Sequence, residues 1–254
     1  MSKILRVNNK VLRVGTSKGL QFNVNDWVDL PKTNLFPTRF PPNQAMSASV
    51  WLKVNSFATV QRIVFVGYIS LRYIDLVIDT NLIVLLHYNN PLRNVSYAGL
   101  SANTLYHIVL NLKTGITGGS VYINNILVAS GYDTQNWAGS TNNPNLAAIG
   151  SNGAGGSYFN GTIYDLKLFD KELTVSEVNE LYVQKGQTVP TTAQANCVVD
   201  YRFEEWIGRD LIDYSSNAYN GLLEGYTDSE VGLAAGTNKR ENYEMFGVPK
   251  ILRT

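Results

Sequence analysis

The feature that most constrains this chain is a two-residue alternation of apolar and polar side chains, repeated from about residue 20 to residue 170. Ala48, Val50, Leu52 and Val54 alternate with Ser49, Trp51 and Lys53; Tyr106, Ile108, Leu110 and Leu112 alternate with His107 and Asn111. Neighbouring side chains of a strand point to opposite faces, so this period turns one face of each strand into a core. The runs 63–69 and 82–88 are more continuously apolar and read as central strands. Asn124-Asn125 parts two short strands where a two-residue hairpin needs positive φ, which asparagine tolerates. Glycine-rich turns at 115–119 and 150–156 punctuate the series.

One helix stands out. Thr174-Val-Ser-Glu177 reads as a capping box, with Val175, Val178, Leu181 and Tyr182 on one face and Gly186 as the stop signal. Many short strands with a lone helix predict an all-β, antiparallel two-sheet sandwich. At 254 residues and 44% apolar, the chain has material for one such core with accessory segments.

Three stretches resemble the laminin-G-like, concanavalin-A-like jelly-roll family found in many bacterial and phage surface proteins. Gly19-Leu-Gln-Phe-Asn-Val-Asn-Asp-Trp-Val-Asp-Leu-Pro31 is similar to the family's leading strand and turn, and Ser47-Ala-Ser-Val-Trp-Leu-Lys53 to its next strand. Tyr158-Phe-Asn-Gly-Thr-Ile-Tyr-Asp-Leu-Lys-Leu-Phe-Asp170, with the helix through Tyr182, resembles its closing strand and C-terminal helix. A further piece is out of the usual order. Val198-Val-Asp-Tyr-Arg-Phe-Glu-Glu205 and the turn Asp213-Tyr-Ser-Ser-Asn217 resemble the family's opening unit, yet here they follow the helix. Val199, Tyr201 and Phe203 are expected to face a core. The unit either completes its own sandwich as a circular permutation or completes a neighbouring subunit. The first is favoured, because the termini of compact domains commonly lie close together.

The chain thus divides into a basic arm (1–18), a jelly roll (19–185), the displaced C-terminal unit (186–225) and an extended tail (226–254). Lys3, Arg6, Lys10, Arg13 and Lys18 precede the first acidic residue, Asp26, and the last five residues, ending Arg253-Thr254, echo the N-terminal repeat. Lys3, Arg6, Lys10, Arg13 and Arg253 are candidate docking residues on a partner; the blander reading is two short edge strands. A net charge of +1 with no aromatics among these charges argues against nucleic acid.

Catalytic patterns are scarce. Glu204 and Glu205 point to opposite faces of a strand, and Asp75 and Asp79 lie about 13 Å apart along one, too far for a glycosidase pair. His87 and His107 each stand alone in strand patterns, and no nucleophile elbow accompanies them. Cys197 is the single cysteine, which excludes an intramolecular disulfide.

For binding, the resemblance implies calcium at a sandwich rim, where Asp213, Ser215, Asn217 and Asn220 would supply oxygens. The competing reading is a turn whose side chains bond their own backbone. Tyr132, Trp137, Asn142, Asn143 and Tyr158 are candidate glycan contacts through aromatic faces and amides. The resulting expectation is a non-catalytic structural protein of a bacteriophage particle: a capsid decoration, head fibre or tail accessory. It would display a laminin-G-like domain able to hold host glycans, with other particle proteins or its own copies as partners. The start of the chain is no secretion signal and no run of eighteen apolar residues spans a membrane, which fits assembly in the cytoplasm and a place on the virion surface. The alternative is a carbohydrate-binding module of a bacterial surface or secreted protein.

Overall fold

The computed structural model describes residues 3–7, 10–14, 19–35, 45–67, 72–79, 82–86, 95–112, 119–132, 146–207 and 209–227. The first strands are β1 (Lys3–Val7), β2 (Lys10–Val14), β3 (Leu20–Phe22) and β4 (Trp27–Asp29), followed by a single helical turn, α1 (Lys32–Leu35). The next run is β5 (Met46–Val54), β6 (Gln61–Gly67), β7 (Arg72–Asp79), β8 (Leu82–Leu86), β9 (Val95–Ala98) and β10 (Leu105–Leu112). It continues through β11 (Gly119–Ile123), β12 (Ile126–Tyr132), β13 (Leu146–Ile149) and β14 (Gly161–Phe169) to α2 (Val175–Val183). After a 3-10 helix at Thr191–Asn196 come β15 (Cys197–Ile207), β16 (Asp210–Asp213) and β17 (Gly221–Glu224).

Every pairing is antiparallel, as expected of a jelly-roll sandwich. Among the described residues the hairpin β1–β2 forms a sheet of its own; the other strands join in the order β12-β11-β10-β5-β14-β15-β16-β17-β4-β13-β6-β7-β8-β9, with β3 on β14. Residues of β5, β10 and β14 (Val50, Leu52, Ile108, Leu110, Ile163, Leu166) share one core with Val28, Val64, Val66, Leu76, Ile149 and Leu223 from the second half of that order. Those two halves are the layers of the sandwich. Burying one face per strand is the main stabilising term, at roughly 25 cal/mol for each Å² of apolar surface removed from water. The Asn124-Asn125 hairpin closes with both residues at positive φ (50° and 66°), the geometry that matches strand twist.

The other face of β5 and β10, polar by sequence, is buried as well. Ser47, Ser49, Trp51, His107 and Asn111 lie under α2 and the residues that lead into it. A satellite core of Val109, Phe169, Leu173, Val178, Leu181, Ala193 and Cys197 seats the helix. Its capping box is formed: Glu177 N donates to Thr174 Oγ1 (3.3 Å), and Thr174 N donates to Glu177 Oε2 (2.8 Å). Val175, expected on the packed face, is instead 66% exposed. As the first helical residue it sits at the edge of the stripe that Val178 and Leu181 press onto the sheet.

The C-terminal segment lies inside this chain's own ladder. β15 pairs with β14 (Leu166↔Tyr201, Lys167↔Asp200), and β17 pairs with β4 (Leu223↔Val28, Glu224↔Trp27). Val199, Tyr201 and Phe203 are buried in the main core, and Tyr201 Oη donates to the Tyr219 carbonyl.

Candidate functional site

The pleat of β4 sends Val28 into the core and Trp27 and Asp29 to the outer face. On the paired strand β17, Leu223 is likewise buried, so Leu222 and Glu224 emerge beside Asp29 and Trp27, their register partners. The turn before β4 is held by Asn23 N donating to Asp26 Oδ2 (2.7 Å) and by Asn25 at φ 80°.

Onto the same face comes Tyr158, whose ring centroid is 6.1 Å from that of Trp27 at an interplanar angle of 38°. Both residues are half-buried. Tyr158 ends the glycine-rich loop, whose base is closed by Gly150 N to Ile63 O (3.0 Å) and Phe159 N to Gly150 O (2.9 Å). Arg62 donates from its backbone N to Ser157 O (2.9 Å) and from Nη1 to Ser157 Oγ (2.6 Å). Within the loop Asn152 N donates to Gly156 O and Ala154 N to Asn152 Oδ1. A side chain at Gly155, which sits at φ 83°, would place its Cβ 3.4 Å from the Tyr158 hydroxyl. The result is a two-ring platform, one ring on β4 and one on an anchored loop, with Glu224 as a flanking acceptor and Asp29 beside it in an ion pair with Lys32 (3.2 Å). Aromatic faces beside a few fixed polar groups are the usual chemistry of a site for a small polar ligand with apolar faces.

A second cluster is sealed. Lys167 on β14 ion-pairs with its neighbour Asp165 and, at 2.7 Å, with Asp200 Oδ1; its Nζ also donates to the Gly186 carbonyl. Arg202 Nη2 donates to Asp200 Oδ2 (2.7 Å). Burial pushes the Asp165 carboxyl up to about 7; Lys167 opposes that shift and Asp200 adds to it. Burial disfavours charge on Lys167, but the two carboxylates outweigh it and hold its pKa above the ordinary value. Beside them Ser49 Oγ lies 2.9 Å from His107 Nε2, and the imidazole stacks on Trp51 (4.8 Å), which is covered in turn by Tyr182 (5.6 Å). Burial, then the charge of Lys167, drives the His107 pKa down to about 3, so the ring is neutral. This serine–histidine contact has no carboxylate on His107 Nδ1 and no opening to solvent. It braces the seat of α2.

The turn between β16 and β17 does gather Asp213, Ser215, Asn217 and Asn220. Asp213 Oδ1 accepts from Asp200 N and Ser215 N, and Oδ2 accepts from Ser215 Oγ and Tyr219 N. Asn220 Oδ1 accepts from Asp213 N, while Asn217 Nδ2 donates to the Val198 carbonyl. With four donors on one carboxylate, this oxygen set does not fit a calcium ion, which would have to displace them. Among the described residues no three of His, Cys, Asp and Glu are grouped to hold a metal.

Of the other candidates, Trp137, Asn142, Asn143, His87 and Arg253 lie outside the described residues. Tyr132 closes β12 opposite Gly119, at the far end of the strand order from the β4–β13 pair that carries the platform. Lys3, Arg6, Lys10 and Arg13 fall on the hairpin, at register positions Lys3↔Val14, Ile4↔Arg13, Arg6↔Val11 and Val7↔Lys10. Trp27 was legible as a strand residue but carried no sign of its partner, since Tyr158 reaches it only through the pairing of β4 with β13.

Residues 22–179 match the family model of the concanavalin A-like lectin/glucanases superfamily, Laminin_G_3. No protein of curated function matches the chain. Among solved structures it is similar to a candidate carbohydrate-binding protein from Bacteroides ovatus, at 16% identity and a TM-score of 0.64, over 84% of this chain and 60% of that one. It is also similar to Trypanosoma rangeli sialidase in complex with sialic acid, at 18% identity and a TM-score of 0.50, over 69% of this chain and 29% of that one. The chain therefore spans three fifths of the first protein's length and under a third of the second's. At these identities the likeness is one of fold.

Proposed function

The chain belongs to the concanavalin A-like lectin/glucanases superfamily, and we propose that it works as a non-catalytic glycan-binding module with its ligand on the Trp27–Tyr158 face. The observation that carries this reading is the platform itself: two partly exposed rings 6.1 Å apart, Trp27 on β4 and Tyr158 at the end of an anchored loop, beside Glu224. A pyranose ring would lay its C–H face on the indole and phenol while a hydroxyl donates to the Glu224 carboxylate. The likeness to the Bacteroides ovatus protein supports the same ligand class. The carboxylates Asp165 and Asp200 are buried in ion pairs, which supports a binding role over glycoside hydrolysis.

The test is a glycan array probed with the full chain and with Trp27→Ala and Tyr158→Ala. Binding by the parent that falls at least about tenfold in both variants, with unchanged circular dichroism, supports the reading. Binding that survives both substitutions moves the site elsewhere, and no binding by the parent removes the function.

We place this module on the surface of a bacteriophage particle in preference to a bacterial surface or secreted protein. The observation favouring it is the basic hairpin β1–β2, which stands in a sheet separate from the sandwich, as an attachment arm would. Among the described residues no helix is long and apolar enough to cross a membrane. Mass spectrometry of purified particles checks the placement: the chain at stoichiometric amount supports it, and its absence from particles excludes it.

A further inference from the structure

We propose that the β1–β2 hairpin is an assembly arm that docks on a second copy of this chain, its basic residues meeting that copy's acidic body. Three observations converge on it, none of which depends on the glycan site. The first is topological. β1 and β2 pair over five register positions in a sheet that, among the described residues, contains only those two strands. A two-stranded sheet alone in water is marginal at best, so a hairpin of this kind is stable chiefly where something covers it.

The second is composition. Each strand holds three apolar residues, Ile4, Leu5 and Val7 in one and Val11, Leu12 and Val14 in the other, and Leu5 pairs with Leu12 in the register. A strand pair this apolar is suited to an interface rather than to open solvent.

The third is charge, and it argues for a second copy as the occupant. Residues 1–18 carry five basic side chains and no acidic one. Beyond residue 18 the remaining sixteen Lys and Arg face all twenty Asp and Glu, a net of −4. The overall +1 is therefore the sum of a strongly basic arm and an acidic body. Unlike charges on the two parts draw the arm of one copy to the body of the next, and the association fades as salt screens them. Such linkage would array several glycan platforms together, raising avidity with no change in any single site.

The experiment is sedimentation velocity on the full chain, before and after nuclease treatment, over a concentration series at about 50 mM and about 500 mM salt. It is repeated on the charge-reversed variant Lys3→Glu, Arg6→Glu, Lys10→Glu and Arg13→Glu. Expected is self-association of the parent at low salt that weakens by more than about tenfold at high salt and is absent from the variant. Circular dichroism of the variant should be unchanged, because the arm lies outside the fifteen-stranded sheet. A parent that stays monomeric throughout overturns the proposal, whether the arm folds onto its own body or binds nothing. So does association indifferent to charge reversal, or association lost only on nuclease treatment. Glycan binding by the monomeric variant, measured separately, reports on the platform and leaves the two readings independently testable.

Discussion

Lys167 on β14 and Asp200 on β15 are register partners, and their side chains meet in an ion pair of 2.7 Å from which solvent is excluded. The pair joins the strand that closes the jelly roll to the displaced C-terminal segment. Through the Gly186 carbonyl it also holds the turn that ends α2. Gly186 is required there: it sits at φ 72°, and a Cβ would lie 2.5 Å from the Asp165 carboxylate. Lys167→Met removes the cation and leaves two carboxylates buried side by side. Breaking a buried pair in this way costs about 3–5 kcal/mol. Urea unfolding of Lys167→Met should show a loss of that order, whereas exposed Lys185→Met should change stability by less than about 0.5 kcal/mol. A loss under about 1 kcal/mol for Lys167→Met would show that the cluster contributes little.

The same neighbourhood predicts opposing pH effects. The Asp165 carboxyl, raised from 3.8 to about 7, takes up a proton in the folded state before it does in the unfolded one. Lowering the pH from about 7 towards 4 therefore adds stability through this group. His107, lowered from 6.5 to about 3, takes up its proton in the unfolded state first, so lowering the pH from about 6.5 towards 3 removes stability. Across their shared window the two slopes oppose each other. Relative to the parent, His107→Asn should become more stable as pH falls from 6.5 to 4, and Asp165→Asn less stable. Urea midpoints against pH for the three proteins decide it; parallel curves would mean that neither group is linked to folding.

The strands and the helix were readable because their signals are local. Alternation at Ala48–Val54 and the Thr174–Glu177 box each involve neighbours in sequence, and both appear in the structure. What was not readable depends on long-range register. Trp27 meets Tyr158 because β4 pairs with β13, and Ser49 meets His107 because β5 pairs with β10. The sealed cluster had a faint local mark: Asp165 and Lys167 share one face of a strand that is otherwise largely apolar, the face opposite the core residues Leu166 and Leu168. A charged pair at that spacing in an apolar strand is a sign that a third charge waits on the neighbouring strand.

The β16–β17 turn is predicted to be held by its own hydrogen bonds. Asp213→Ala would strip the acceptor from Asp200 N, Ser215 N and Tyr219 N, in a region where Asp213 itself is only 5% exposed. Each buried donor left unpaired costs about 1–3 kcal/mol, so a total near 3 kcal/mol is expected once water reaches part of the turn. Thermal unfolding of the parent should give one midpoint in excess calcium and in excess chelator alike. A midpoint that rises with calcium, as a ligand of the folded state demands, would return the turn to metal binding.

The last prediction concerns the displaced segment, and it is best made in the charge-reversed arm background, where association through β1–β2 is absent. Ending the chain at Lys185 removes β15, β16 and β17. Val198, Val199, Tyr201 and Phe203 leave the core with them, and the edges of β14 and β4 lose their partners. Losing several fully buried side chains at about 2–5 kcal/mol each exceeds the stability of an ordinary domain. Open strand edges then favour aggregation over a soluble intermediate. Light scattering after size exclusion should find the parent background monomeric and the truncated chain aggregated, with its circular dichroism no longer that of the parent. If instead the full chain is a defined dimer in that background and truncation yields folded monomers, the C-terminal strand completes a neighbour, and the sandwich is built by exchange between copies.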